Sequence, residues 1–324
     1  GCTGIKRTTG QHPGGIMVVP AYKDIHDFCP IQFHANDMKS EVVTTHFDYH
    51  SISGRILKLD ILGHDVPTMI KQLEEMTKID VLKIPLDDPA TLRIFTSNET
   101  LGIVDPDYKS ETGSLGIPEF GTKFVRQMLV DTQPTTLAEL VRISGLSHGT
   151  DVWVNNAQTL VRNGIADLKH VISTRDDIMN YLIQKGLPPK QAFTIMERVR
   201  KGKGLTEENE TLMREFDVPD WYINSCNTIQ YMFPKAHAVA YVTMSFRIAY
   251  FKVHYPLAFY ASYFSSKVED FDAQLICQGK RAVREKKRWM EDNWDSLTKK
   301  EQDLYGILEL VDEYYSRGFD FHKV

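Results

Sequence analysis

The sequence predicts an α+β chain in which a small β-rich segment comes first and a larger, mostly helical one follows. Three observations carry this. Before residue 66 the apolar residues fall in short runs separated by Pro-, Asn- and Asp-bearing links. At Pro67 their spacing changes to that of helices, and between about 117 and 265 nearly every segment reads as a short capped helix. With 324 residues, 42% of them hydrophobic and 25% charged, the chain is long enough for two or three packed units.

Three stretches read as strands: "GGIMVVP" (14–20), "VVTTHFDYH" (42–50) and "RILKLDILG" (55–63). Met69, Ile70, Leu73 and Met76 then recur at helical spacing, with Pro67 in the first turn. In "DDPATLRIF" Asp88 is placed to cap a helix that Pro89 begins. Thr136 and Glu139 form a capping box before "LAELVRI". Ser173 or Thr174 opens "RDDIMNYLIQKG", which stops at Gly186, and Pro234 starts a long helix ending before Pro256. After 265 the sequence is charge-rich, as in solvated helices. The expected division is 1–66, 67–265 and 266–324.

The formal net charge of -5 gives no global basic field, so a nucleic-acid surface has to be local. Cys2, Cys29, Cys226 and Cys277 lie far apart without a CxxC pair, which argues against a disulfide framework or a structural zinc site. Residues 238–251, the most apolar run, are broken by Thr243, Ser245 and Arg247 and fall short of the ~20 residues a membrane span needs. No signal peptide is expected, and the start at Gly1 suggests a piece of a longer chain.

Alternation in the third strand sets Leu57, Leu59 and Ile61 on one face and Ile56, Lys58, Asp60 and Leu62 on the other. Asp60 then has a bland account, a cross-face ion pair or a solvent-exposed edge, and a functional one, a rigidly held ligand for Mg²⁺, a hard cation that takes one or two protein carboxylates. In "HFDYH", His46, Asp48 and His50 share a face and raise a metallohydrolase reading, although side chains two apart on a strand are about 6 to 7 Å from one another, long for ligands of one ion. "RTTGQHPGGIMVVP" (7–20) could offer backbone N–H groups to phosphate or simply begin a hairpin. Arg198, Arg200, Lys201 and Lys203 make a positive helix end, either as ordinary C-terminal cations or as contacts to a DNA backbone that Gly202 and Gly204 let approach. In "QYMFPKAHAVAYV" Lys235 and His237 sit in the first turn of a helix, where N–H groups and dipole favour an anion, and Tyr231 offers a ring on which a base can stack. The bland account makes Tyr231 core and Lys235 solvated. Ala240, Met244, Ile248 and Phe251 read as core. Arg175, in the first turn of its helix, is misplaced with respect to the dipole unless an anion faces it or Asp176 and Asp177 neutralise it.

Taken in order, "RTTGQHPGGIMVVP", "TTHFDYHS", "LKLDILGHDVPTMI", "GIPEFGTKFVRQML", "ISGLSHGTDVW", "RDDIMNYLI", "VRKGKGLT", "VPDWYINSC" and "YMFPKAHAVAYV" resemble the PolC-type alpha subunit of bacterial DNA polymerase III, densely over residues 1 to about 268. The resemblance implies that 1–66 are the C-terminal part of a nucleotidyltransferase palm related to polymerase beta, 67–265 the fingers, and 266–324 the start of the region leading to the helix-hairpin-helix and clamp-binding parts. In the family three aspartates hold two Mg²⁺ ions. Asp60 matches the third, and the "PDIDLDF"-like strand that supplies the others has no counterpart here. Arg175, Lys235 and His237 would hold the triphosphate of an incoming dNTP and Tyr231 would pack against its base. The implied activity is cytoplasmic, DNA-templated DNA synthesis on a primer–template, with the sliding clamp and other replisome proteins bound through parts absent from this sequence. With one aspartate of three, the chain is expected to be inactive alone. A non-catalytic nucleic-acid or nucleotide-binding module and the His/Asp metallohydrolase stay open as alternatives.

Overall fold

Strand β1 (Gly15–Val18) follows a turn at Pro13–Gly14, and β2 (Ile31–Phe33) and β3 (Val43–Thr45) precede a short helix α1 (Tyr49–Ile52) and strand β4 (Leu57–Asp60). The computed structural model describes residues 10–33, 37–61 and 63–322, so Cys2, Arg7 and Leu62, named above, lie outside the described residues. Strand β1 pairs antiparallel with β4, Gly15 opposite Asp60 and Val18 opposite Leu57, while β2 pairs antiparallel with β3. These elements belong to one compact unit, Gly1–His64. Its core is small: Cys29, Ile52 and Ile56, with Met17, Val19, Ile25 and Phe28 against them.

Two sequence expectations need correction here. The strand foreseen over 42–50 stops at Thr45, and Asp48 occupies the N-cap position of α1. The alternation that put His46, Asp48 and His50 on one face therefore ends before it reaches them. The strand foreseen over 55–63 covers only 57–60, which makes Asp60 its last residue rather than a central one. Leu57 and Leu59 do share a face, but that face is exposed, as are Ile16 and Val18 across from them.

The second unit, Asp65–Val324, is helical. In chain order it contains α2 (Asp65–Thr77), α3 (Pro89–Arg93), α4 (Lys123–Thr132), α5 (Leu137–His148), α6 (Gln158–Arg162), α7 (Arg175–Gln184), α8 (Pro189–Arg200) and α9 (Glu207–Glu215). It continues with α10 (Asp220–Thr228), α11 (Lys235–His254), α12 (Pro256–Ser266), α13 (Ala273–Ile276), α14 (Lys280–Asp292) and α15 (Lys299–Ser316). The caps lie where the sequence puts them. Asp88 accepts from Thr91 N at 2.8 Å, Thr136 and Glu139 close a capping box on α5, and at the start of α7 Asp177 Oδ2 accepts from Thr174 N at 2.9 Å.

Helix α11 is the axis of this unit, packing against α2, α3, α5 and α12. Its buried residues are Ala238, Val242, Ser245, Phe246, Ile248, Ala249, Phe251 and Lys252. Ala240, expected in the core, is exposed, and Met244 is only half-buried. Only the later half of α11 is hemmed in closely enough to bury an apolar stripe without a polar face. Within that half Lys252 is fully buried, donating to Gly113 O and Leu115 O at 2.6 Å each and pairing with Glu313 Oε1 at 2.7 Å. Tyr260 Oη donates to the same carboxylate at 2.6 Å. Burial pulls the Lys252 ammonium down to about 8 against the opposing pull of Glu313. The network ties the loop at 113–115 to α11, α12 and α15.

Candidate functional site

At one end of the helical unit the first turns of α7 and α11 meet. Arg175 N donates to Phe233 O at 3.3 Å, and Lys235 N donates to Asp176 Oδ2 at 2.9 Å. Arg175 and the Lys235–His237 pair, about sixty positions apart on the chain, are thus brought to the same pair of helix starts, where unpaired N–H groups and dipoles favour negative charge. Lys235 Nζ lies 3.4 Å from Asp177 Oδ1, so of the two cations Lys235 has a carboxylate partner. Arg175 forms no ion pair among the described residues. Its position against the α7 dipole is therefore not explained by Asp176 or Asp177: the first accepts from the Lys235 main chain, and the second caps α7 through Ser173 and Thr174 and pairs with Arg142. Burial by itself would raise the Asp177 pKa, but Arg142, the Ser173 hydroxyl, the Thr174 N–H and Lys235 outweigh it and hold the carboxyl below its usual range. A cavity of about 800 Å³ adjoins these groups, lined by Arg142, Asp177, Lys235, His170, Tyr181 and Trp221.

Tyr231 is 46% exposed, as a stacking platform requires and a core residue does not. Its main chain is held by Thr150, whose N donates to Tyr231 O at 2.9 Å and whose O accepts from Gln230 and Tyr231. The basic stretch at the end of α8 packs against the same segment. Gly202 has φ of +67°, and a Cβ there would stand 2.5 Å from Gln230 O. That glycine is required by close protein packing, which corrects the expectation that it leaves room for a phosphate.

The four cations of this stretch divide. Arg198 donates to Gly204 O at 3.2 Å and braces the loop, and Arg200 forms a two-pronged bond with Glu197 at 2.8 Å per arm. Lys201 approaches the same carboxylate at 3.1 Å, and these bonds, Arg200's first, pull Glu197 down to about 2. Lys201 and Lys203 are exposed.

In the β-rich unit, Asp60 Oδ1 lies 3.1 Å from Lys58 Nζ and 3.9 Å from His12 Nε2, with the side chain 48% exposed. Lys58 also lies over the Tyr49 ring at 4.5 Å. The ion-pair account of Asp60 is therefore satisfied, and a half-exposed carboxylate at a strand end also suits one oxygen ligand of a hard cation. The turn at Pro13–Gly14 leads into β1, with His12 Nδ1 accepting from Gly14 N at 3.2 Å; β1 pairs with β4 and not with the next strand, so the described part of 7–20 enters a strand but does not begin a hairpin. His46 Nδ1 is hydrogen-bonded to Gln32 Oε1 at 2.8 Å and His50 lies on α1. Among the described residues no three His, Cys, Asp or Glu side chains gather to hold a metal ion, so the metallohydrolase arrangement does not form. No helix among them is long and apolar enough to cross a membrane.

Residues 1–63 match a family model described as the bacterial DNA polymerase III alpha NTPase domain, and residues 66–216 one described as the bacterial DNA polymerase III alpha subunit finger domain. All 324 residues align at 60% identity with a DNA polymerase III PolC-type of Clostridium perfringens, at 59% with one of Caldanaerobacter subterraneus and at 57% with one of Staphylococcus aureus. The chain belongs to the PolC-type DNA polymerase III family. It spans 22% to 23% of the length of these three relatives. Of the residues singled out from the sequence, Asp60 lies within the match to the alpha NTPase domain and Arg175, Arg198, Arg200, Lys201 and Lys203 within the match to the finger domain. Tyr231, Lys235 and His237 lie beyond it.

Sequence reasoning missed several residues that shape this end of the PolC segment: Arg142, Thr150, Glu119 and His148. Glu119 and His148 form an ion pair, and the His148 ring stacks on Phe233 with centroids 4.7 Å apart. The only hint in the sequence was the "SHGT" string at the end of α5, which carries no periodicity or cap of its own.

Proposed function

We propose that this chain is the segment of a replicative DNA polymerase that supplies one metal-binding aspartate of the palm and most of the fingers. The observation that carries the reading is the convergence of Arg175, Lys235 and His237 on two adjoining helix starts beside an exposed Tyr231. Such an arrangement suits a nucleoside triphosphate. Arg175 and Lys235 neutralise phosphate oxygens, the α11 N–H groups and His237 donate to them, and Tyr231 presents its ring to the base. Little covalent chemistry is asked of these groups; they position the nucleotide and balance its charge.

Asp60 is the residue of this chain that would hold Mg²⁺, and its half-exposed carboxylate fits that role as one ligand among several. Two such ions would stabilise the attacking and leaving oxygens of an in-line phosphoryl displacement. Lys58 and His12 keep the Asp60 carboxylate oriented until an ion competes for it. Lys201 and Lys203, exposed on the loop beside Gln230 and Tyr231, are suited to phosphate contacts with a primer–template, whereas Arg198 holds the loop's own conformation and Arg200 is taken up by Glu197 within α8.

The test is charge reversal, Asp60→Lys, in a full-length polymerase of the family, read by primer extension and by DNA binding. Loss of incorporation with DNA affinity kept within about threefold is expected, since removal of a metal ligand acts on the chemical step. Retained incorporation would end the metal-ligand assignment. The isolated 324-residue chain is expected to extend no primer.

A further inference from the structure

The segment that ends in Lys235 and His237 has to be held still for those groups to meet a triphosphate, and the structure contains a brace for it. Residues 148–150 run against 231–233. Thr150 exchanges backbone hydrogen bonds with Tyr231, and a Cβ on Gly149 would stand 2.9 Å from Tyr231 O. His148 lies nearly parallel to the Phe233 ring, 23° between planes, and Phe233 in turn meets the His237 ring edge-on at 4.9 Å. His237 then stacks on Tyr241 at 4.3 Å. The outer end of this series of rings is fixed by Glu119, whose side chain is 14% exposed and paired with His148.

Glu119 itself has φ of +70°, a left-handed conformation that is costly for any residue but glycine and persists where the surroundings require it. A glycine would relieve that strain and lose the carboxylate. We propose that His148, oriented by Glu119, is a positioning residue for nucleotide binding: its ring braces Phe233 and so fixes the start of α11, from which Lys235 and His237 project. The proposal rests on the reading of that helix start as the nucleotide site. Neither residue need touch the nucleotide. Their effect passes through Phe233, which immediately precedes Pro234 and Lys235.

The experiment is single-nucleotide incorporation by a full-length polymerase of the family, with kcat and KM for the dNTP measured separately. His148→Ala should raise KM about three- to tenfold, the scale of one aromatic pair, and leave kcat within about twofold. His148→Phe keeps a ring against Phe233 and should restore KM. Glu119→Ala should raise KM in the same direction, and the double variant should be no worse than His148→Ala, because the two act as one unit. An unchanged KM in His148→Ala, in a polymerase whose KM rises with Lys235→Ala, overturns the proposal. So does a lowered melting temperature without a dNTP-specific KM change, or failure of His148→Phe to restore KM. Should His148→Ala not fold, Glu119→Ala and His148→Phe decide the matter. If Lys235→Ala itself leaves KM unchanged, the nucleotide-site reading falls and takes the proposal with it.

Discussion

The two units treat their apolar residues in opposite ways. In the helical unit Phe95, Phe120, Phe246 and Phe251 are fully buried, and even a lysine, Lys252, is enclosed without remaining exposure. In the β-rich unit Ile16, Leu57 and Leu59 are each about half exposed on one side of a two-stranded sheet, and the core behind them is three buried residues. A pair of strands has two faces and one partner layer here, whereas the later half of α11 is surrounded. The lesson is that secondary structure alone does not secure a buried face; a second layer has to cover it, and two-stranded sheets are marginal without one.

The comparison can be broken at its strongest point first. Lys252→Met leaves Glu313 buried without its counter-charge and should destabilise the chain by about 3–5 kcal/mol in chemical denaturation. The double substitution Lys252→Met with Glu313→Leu should recover most of that loss, since it removes the uncompensated charge rather than one partner. A loss below about 1 kcal/mol for the single variant would mean that the helical unit does not depend on this network.

A smaller effect is expected from acid. Asp105 is buried and receives Lys280 Nζ at 2.6 Å and Arg284 at 2.9 Å; the Lys280 bond first, then the Asp107 N–H and the nearby Arg284, holds its carboxyl down at about 2. A depressed folded-state pKa means that the unfolded chain binds the proton more readily. The stability this group contributes is therefore complete above pH 4 and is lost as pH falls toward 2. Asp105→Asn should flatten the melting temperature between pH 4 and pH 2 relative to the unsubstituted chain.

The smallest effect belongs to the open sheet face. Leu57→Ser and Leu59→Ser should change the unfolding free energy of this chain by no more than about 1 kcal/mol each, because each side chain stays about half in water on folding. A loss of several times that size would show that the face is covered in solution.

Much of the helical unit was legible in the sequence because its signals are local. Asp88, Thr136 and Asp177 cap helices through atoms three residues away, and Pro234 and Pro256 bracket α11. Strand limits were read less well: Asp48 ends one predicted strand by beginning a helix, and Asp60 ends another. The proposed site residues Arg175, Lys235 and His237, at helix starts, and Tyr231, just before one, were legible as chemical types and as matches to a family. Their meeting was not, because it depends on Phe233 O and Asp176 bridging two helices more than fifty positions apart.

The chain's own order of residues determined which segments become helices, where each begins, and that charge gathers at the tips of α7, α8 and α11. Those are decided by dihedral preference and by hydrogen bonds within a turn. Only the folded molecule decided which cations keep a counter-charge, why Gly202 has to be glycine, and that Glu119 and His148 stand behind Phe233. Each of these depends on through-space packing between segments that no spacing rule connects.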